Sequence, residues 1–505
     1  MTNNVDDARL GSGSKSLARI SGLLGVTAVI FANITAILTH IDEIRQTLYR
    51  LLGINGLLQV HYIYVTLAIV IMVGGYLGIS YWIYSIYLSK KSLFYRSSYV
   101  CACTVSVLTV VYFSSHFYRP VVLEPLLKTQ VAQFANKIFA QQVDDPAKGG
   151  FRFSQTGAST DAQAWTTAQS LAAVLVAEAD ISVHAQSIRN AFSYLERVRI
   201  KEPPAYAGWG YQDSSEWGVT EIDSWVAIAY IYSLRSKIVN AIWDRDTVAA
   251  VLERLRRDLS IIAAKQHNEG GWGPIYKTSN PRHMRTFSTV MAVWALVEAR
   301  RSQLAFTKIS DQYDQAIKDG AIWLLQVYQT NDRAIGGWWP NPMHKNQIDE
   351  FPGLTAQVLY VLSRATKVVP SLGTDPQLQS AYREFLNSAV QGKSSFPDFS
   401  RFSVGSNQRV HDSDRYLEGL PLTVEQSTFL WFPWTVALTT ELIADPLLTQ
   451  TDRERAADVQ RILLSRSNEL VEFVRKDPVL YPTAEALFAI GIYLHSIPVS
   501  EATPE

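Results

Sequence analysis

A glycine-rich turn ending in an aromatic residue recurs four times along this chain. It reads GGF at 149–151, AGWG at 207–210, GGWG at 270–273 and GGWW at 336–339. The aromatic positions, Phe151, Trp209, Trp272 and Trp338, are separated by 58, 63 and 66 residues. Recurrence at a near-fixed period marks a repeat architecture, in which each unit buries its apolar face against its neighbours. Gly150, Gly208, Gly271 and Gly337 stand beside these aromatics and allow the chain to turn tightly. The four-fold recurrence makes the element a joint, with Gln266 of QHNEGGWG capping or bridging it.

About sixteen residues after each aromatic comes Ser or Thr, followed by mostly small or apolar residues at +3, +6 and +7. The copies are Thr167-Ser170-Ala173-Val174, Ser224-Ala227-Tyr230-Ile231, Thr289-Ala292-Ala295-Leu296 and Thr355-Val358-Val361-Leu362. That spacing is one face of a helix, and STVMAVWAL and LTAQVLYVL are apolar nearly all round, as buried helices are. Before the turns lie helices of another kind. The stretch 245–266 puts Val248, Val251, Leu252, Leu255, Leu259 and Ile262 on one stripe with charges opposite, and 314–326 behaves similarly. One unit is therefore an amphipathic outer helix, a joint and a buried inner helix. The pattern predicts an all-α domain over 130–496, an α/α toroid of about five to six helical hairpins, with an open solenoid as the alternative. The unit near 396–444 lacks the joint and carries a long loop, and Pro433 in WFPW should start or kink its helix.

The N-terminal region reads differently. After a tail at 1–19, the segments 20–39, 62–88 and 99–118 carry no Asp, Glu, Lys or Arg. Each is long enough to span a bilayer as a helix, so 20–118 is expected to be a three-helix transmembrane region. A cleaved signal peptide and a buried hairpin are the competing readings. Arg9, Lys15 and Arg19, with Lys90, Lys91 and Arg96, outnumber Arg45 and Arg50. This bias places the large domain on the outer face of a membrane. A tail follows at 497–505.

Basic and acidic residues balance at 46 each, which excludes the basic surplus of a nucleic-acid partner. The two cysteines, Cys101 and Cys103, precede the repeats, so the repeat region has neither disulfides nor a cysteine zinc site.

With these motifs, the chain from about 130 to 496 resembles the prenyltransferase and squalene–hopene cyclase repeat family. QHNEGGWG matches its Q-x(2–5)-G-x-W element. The resemblance implies an α/α toroid around a cavity, and it implies activities that can be tested residue by residue. The zinc of protein prenyltransferases and the thioester of complement-type domains both require cysteine, which the repeats lack. No DDxxD box is present; VDDPAK at 143–148 has only the first two acids. The D-x-D-D-T-A element of class II cyclases aligns with TEIDSW at 220–225, which keeps the last acid as Asp223 but has Ile222 at the protonating position. Asp412 and Asp414 in HDSDR offer a D-x-D in the long loop instead. No cofactor or metal is implied.

Asp223, Asp412 and Asp414 are thus the candidate catalytic carboxylates. Thr220 and Asp223 also fit a capping box at a helix start. Residues before each inner helix should line one rim: Asp161, Gln163, Glu221, Asp223, Arg282, His283, Arg285, Asp349, Glu350, Glu425 and Gln426. Helix N-termini attract anions, so Arg282, His283 and Arg285 suggest an anionic head group there, with solvated loop charges as the alternative. Trp165, Trp225, Trp294 and Trp431 lie on or beside the inner helices, as ligand-lining rings or as packing.

The expectation from sequence is a membrane-anchored, terpenoid-cyclase-like toroid that binds or processes a lipophilic, isoprenoid-like ligand in a central cavity. The alternative is a non-catalytic, membrane-tethered scaffold for a protein partner. A third reading is a glycan lyase or hydrolase, with Tyr276, His283, Arg285 and His411 as acid–base candidates; it rests on fold analogy alone.

Overall fold

The computed structural model describes residues 123–496, apart from 144–148, 155–160, 179–181, 203–206, 211–215, 237–238, 277–283, 303–309, 332–333, 340–351 and 392–429. They lie in the unit Arg119–Glu505, one of two into which the chain divides. The helices, numbered here among the described residues, are α1 (Glu124–Phe139), α2 (Ala164–Ala177), α3 (Ala185–Arg197), α4 (Thr220–Arg235), α5 (Val239–Ile242), α6 (Arg245–Ala264), α7 (Thr286–Arg301) and α8 (Ser310–Gln326). After strands β1 (Gln329–Asn331) and β2 (Ala334–Gly337) come α9 (Pro352–Ala365), α10 (Pro376–Gln391), α11 (Trp431–Ile443), α12 (Gln450–Ser465), α13 (Ser467–Lys476) and α14 (Tyr481–Ser496).

Helices α2, α4, α7, α9, α11 and α14 pack in that order, each on the next, and α14 packs back on α2. The last contact closes the ring, so the fold is an α/α toroid with six inner helices and not an open solenoid. Composition decides which helices go inside. In α7 every residue from Ser288 to Ala299 is buried. In α6 only the stripe Val251, Leu255, Leu259 and Ile262 turns inward among its larger apolar residues, as an outer helix with one wet face requires.

The joints repeat one hydrogen-bond scheme. The backbone N–H groups of Phe151, Trp272 and Trp338 donate to the hydroxyls of Thr167, Thr289 and Thr355 at 2.9, 2.9 and 3.2 Å. In the second repeat Trp209 donates to Asp223 Oδ1 at 2.6 Å. The indole N–H groups of Trp209, Trp272 and Trp338 donate to Leu195, Ile262 and Leu324 carbonyls at 2.6–2.7 Å. Each of those carbonyls belongs to the antepenultimate residue of the preceding outer helix, where helical carbonyls lack internal partners. Gln266 Nε2 bridges the Gly270 and Ala316 carbonyls, both at 2.9 Å, and so ties the joint to the next outer helix. Gly270 has φ of 97°, and a Cβ there would lie 2.5 Å from the Asp319 carbonyl oxygen.

Neighbouring joints are linked around the rim. Thr220 and Thr286, the first residues of α4 and α7, donate through their hydroxyls to the Gly273 and Trp339 carbonyls, both at 2.6 Å. The ring closes when Leu480 N–H donates to the Phe153 carbonyl at 2.9 Å. The capping box expected of Thr220 and Asp223 does not form, because both side chains serve the joints, and Val219 is the N-cap. Pro433 occupies the first turn of α11, where a missing N–H costs no helical bond.

Among the described residues no helix is long and apolar enough to cross a membrane. The inner helices, apolar as they are, run 13 to 16 residues, short of the ~20 that span a bilayer. The expected spans 20–39, 62–88 and 99–118 and both tails lie outside the described residues. The multi-pass localisation, the outer-face placement and the bilayer as partner are withdrawn: no described helix carries them.

Candidate functional site

The axis of the toroid is filled, and its filling is layered. Trp294 of α7 stands edge-on to Trp225, Phe488, Trp434 and Tyr360, with ring centroids 5.0, 5.2, 5.6 and 5.8 Å away. Helices α7 and α14 are not neighbours in the ring, so the Trp294–Phe488 contact crosses the axis. Edge-to-face packing of this kind adds about 0.5–1.5 kcal/mol per pair beyond burial. Trp294, Tyr360 and Phe488 form a floor, and Trp225 and Trp434 pack on it from nearer the helix starts.

Three residues nearer the helix starts lies a different layer. Met291, Gln357 and Glu485 precede Trp294, Tyr360 and Phe488 by three positions and therefore share their helix faces. Gln357 Nε2 reaches the Met291 sulfur at 3.5 Å. Gln169, Trp225, Met291 and Gln357 are each the sixth residue of their helices, and Trp434 is the fourth of α11. Gln169 Oε1, Trp225 Nε1, Gln357 Oε1, Trp434 Nε1 and Glu485 Oε2 are all buried with no hydrogen-bond partner. Such an orphan costs about 1–3 kcal/mol, and natural folds satisfy nearly all buried polar groups. These five come from five of the six inner helices, all within the first two turns.

Glu485 is the one ionisable side chain in this layer. Burial pushes its carboxyl up to about 8, against the Leu430 backbone N–H and the Trp434 indole beside it. The indole lies outside the geometry of a full hydrogen bond. At neutral pH Glu485 is an uncharged O–H donor.

Beyond the floor, toward the helix C-termini, lies an ion cluster. Arg364 Nε donates to Glu298 Oε1 at 2.5 Å, and its Nη1 pairs with Glu441, which also pairs with Lys367. Although burial opposes it, Arg364 and Lys367 hold Glu441 down at about 2. Cations here also offset the negative ends of α7, α9 and α11.

The structure distributes the sequence-derived candidates as follows. Asp223 sits in the second joint, fully buried. Burial holds its carboxyl well above the usual range, against Tyr276 and the Trp209 N–H. The Tyr276 hydroxyl lies beside it without full hydrogen-bond geometry. Asp223 thus occupies the slot of the threonine hydroxyl in the other joints. Trp225 and Trp294 are brought together on the axis. Arg285 is the buried N-cap residue of α7 and donates to the Met284 carbonyl at 3.1 Å. Arg282, His283, Asp349, Glu350, His411, Asp412, Asp414, Glu425 and Gln426 lie outside the described residues. Glu485, Gln357 and Gln169 were missed by motif reading. Their signal is a lone polar residue at the same early step of helices such as YPTAEALFAIGIYL that are otherwise apolar.

No family model matches this chain, and no curated protein matches it. Several solved structures share its helical architecture. An inactive α-1,6-mannanase variant from Salegentibacter sp. HEL1_6, solved with an α-1,6-mannotetraose, is 10% identical over 73% of this chain and 98% of its own, at a TM-score of 0.44. A family 76 glycoside hydrolase (mannosidase) from Bacteroides thetaiotaomicron VPI-5482 is 9% identical over 73% and 98%, at 0.46. A D-mannose isomerase is 12% identical over 72% and 97%, at 0.46. The likeness is one of fold, at identities that give no residue-level correspondence.

The expectation of a terpenoid-cyclase-like protein holding a lipophilic ligand is corrected. Packed rings fill the axis where an apolar cavity was expected, and the layer above them is polar. The non-catalytic scaffold falls with it. A row of orphaned buried polar groups costs a scaffold stability and gives it nothing in return.

Proposed function

We propose that this protein is a glycan-processing enzyme of hydrolase type, working in the mouth of the toroid where the inner helices begin. The observation that carries this reading is the layer formed by Gln169, Trp225, Gln357, Trp434 and Glu485. It offers two amide carbonyls, two indole N–H donors and a protonated carboxyl, above a floor of aromatic rings. A saccharide presents the complement, hydroxyls that both donate and accept on an apolar carbon face. The layer's described side chains carry no cation, which disfavours a phosphate or carboxylate ligand at this depth.

Glu485 supplies the proton. Its raised pKa keeps the carboxyl protonated at neutral pH, as a general acid requires. The proton passes to the departing glycosidic oxygen, which leaves as a hydroxyl, while water adds its oxygen to the anomeric carbon and gives up the proton that restores Glu485. The test is turnover of a panel of neutral oligosaccharides, read by product chromatography. Glu485→Gln should bind saccharide yet lose about 10²–10⁴ in kcat. Failure of the wild-type chain to bind any neutral saccharide, or full activity in Glu485→Gln, would sink the reading.

A further inference from the structure

At the seam where the ring closes, three aromatic side chains stack at the mouth. Trp165, the second residue of α2, lies over Tyr481, the first of α14, with centroids 5.6 Å apart and planes 22° from parallel. Phe153, whose carbonyl accepts the ring-closing bond from Leu480, completes the stack at 6.3 Å from Tyr481 and 6.1 Å from Trp165. Trp165 and Phe153 are only half-buried. The joint tryptophans Trp209, Trp272 and Trp338 each spend their indole N–H on a helix-end carbonyl, whereas Trp165 Nε1 has no partner. Packing alone leaves both the open face and the unspent donor unexplained.

Its place relative to Glu485 gives the stack a role. Tyr481 and Glu485 are four residues apart on α14 and lie on one helix face. One turn, about 6 Å along the axis, separates them. A ring lying on the stack is therefore one step nearer the mouth than a ring in the Glu485 layer.

We infer that the Phe153–Trp165–Tyr481 stack is a second saccharide subsite, outward of the catalytic layer, and that the substrate is an oligosaccharide engaging both. This rests on the glycan-processing reading above. One sugar unit packs its apolar face on Trp165, while the adjoining unit enters the polar layer. The linkage between the two units lies within reach of the Glu485 proton.

The test compares the full chain, Trp165→Ala and Trp165→Phe on neutral saccharides, with Kd measured for one to four units and KM and kcat for two to four. Wild type should bind two units at least tenfold more tightly than one. Trp165→Ala should lose that gain, and Trp165→Phe, which keeps a ring but no donor, should recover part of it. Equal KM in wild type and Trp165→Ala, with turnover intact, overturns the subsite and leaves the Glu485 reading standing. Length-dependent binding that needs Trp165, combined with full turnover by Glu485→Gln, supports the subsite and overturns the proton donor. No saccharide binding by wild type overturns both.

Discussion

Trp209 N–H donates to Asp223 Oδ1 at 2.6 Å, in the place where three other joints use a threonine hydroxyl. The substitution exchanges a neutral acceptor for a titratable one in a fully buried slot, so burial drives the carboxyl to hold its proton. Gly208 is bound to this choice, because a Cβ there would lie 2.2 Å from Asp223 Oδ2. Asp223→Thr should restore the common joint and leave stability within about 1 kcal/mol, whereas Asp223→Ala orphans the Trp209 N–H and should cost about 1–3 kcal/mol. Urea midpoints of the two variants check the difference, and equal midpoints would refute the joint role.

Glu485 makes stability depend on pH with a defined sign. Its folded pKa of about 8 exceeds the unfolded value of about 4.3, so the folded state keeps a proton that the unfolded state releases. The contribution is fully present below the unfolded pKa and is lost as pH rises to about 8. Asp258, pushed up to about 7 by burial despite its Arg199 partner, titrates in the same range. The readout is therefore the difference between proteins. The stability of Glu485→Gln relative to wild type should rise between pH 4.5 and 8 and level off above. A difference that stays constant across that range would show that Glu485 is not a protonated buried acid.

Arg364 bridges two buried carboxylates, Glu298 and Glu441, which also pair with Arg235 and Lys367 respectively. Arg364→Met should cost up to about 3–5 kcal/mol, because Arg235 and Lys367, both more exposed, compensate the buried charge only in part. Adding Glu298→Gln should recover part of that loss. Thermal unfolding of the single and double variants measures the coupling, and strict additivity would argue against a shared network.

The joint that contains Gly270 tolerates no side chain. Gly270→Ala meets both the left-handed backbone and the Asp319 carbonyl, and should destabilise by more than the 1–2 kcal/mol of the backbone term alone. Trp272→Phe, which removes the donor to Ile262, should cost about 1 kcal/mol or more. Chemical denaturation distinguishes the two, and a neutral Gly270→Ala would contradict the observed turn.

The fold was largely legible because repetition amplifies a local signal. Phe151, Trp209, Trp272 and Trp338 with their downstream Thr or Ser gave the joint, the inner helix and the unit length, although Asp223 was taken for a rim carboxylate when it fills the joint. The site was illegible for the opposite reason. Gln169, Gln357 and Glu485 share no motif and lie more than a hundred residues apart, and each by itself looks like an accident in an apolar helix. Trp294 illustrates the same limit: its sequence context gives burial, but not that it faces Phe488 across the axis.

The sequence by itself determined that the C-terminal region builds hairpins of outer and inner helices, because hydrophobic period and glycine placement are local properties that each unit carries alone. Closure of the ring, and with it the meeting of Trp294 with Phe488 and of Trp165 with Tyr481, belongs to the tertiary structure. These contacts depend on the angle each repeat adds to the last, and that angle is the sum of side-chain packing between units rather than a property of any one of them.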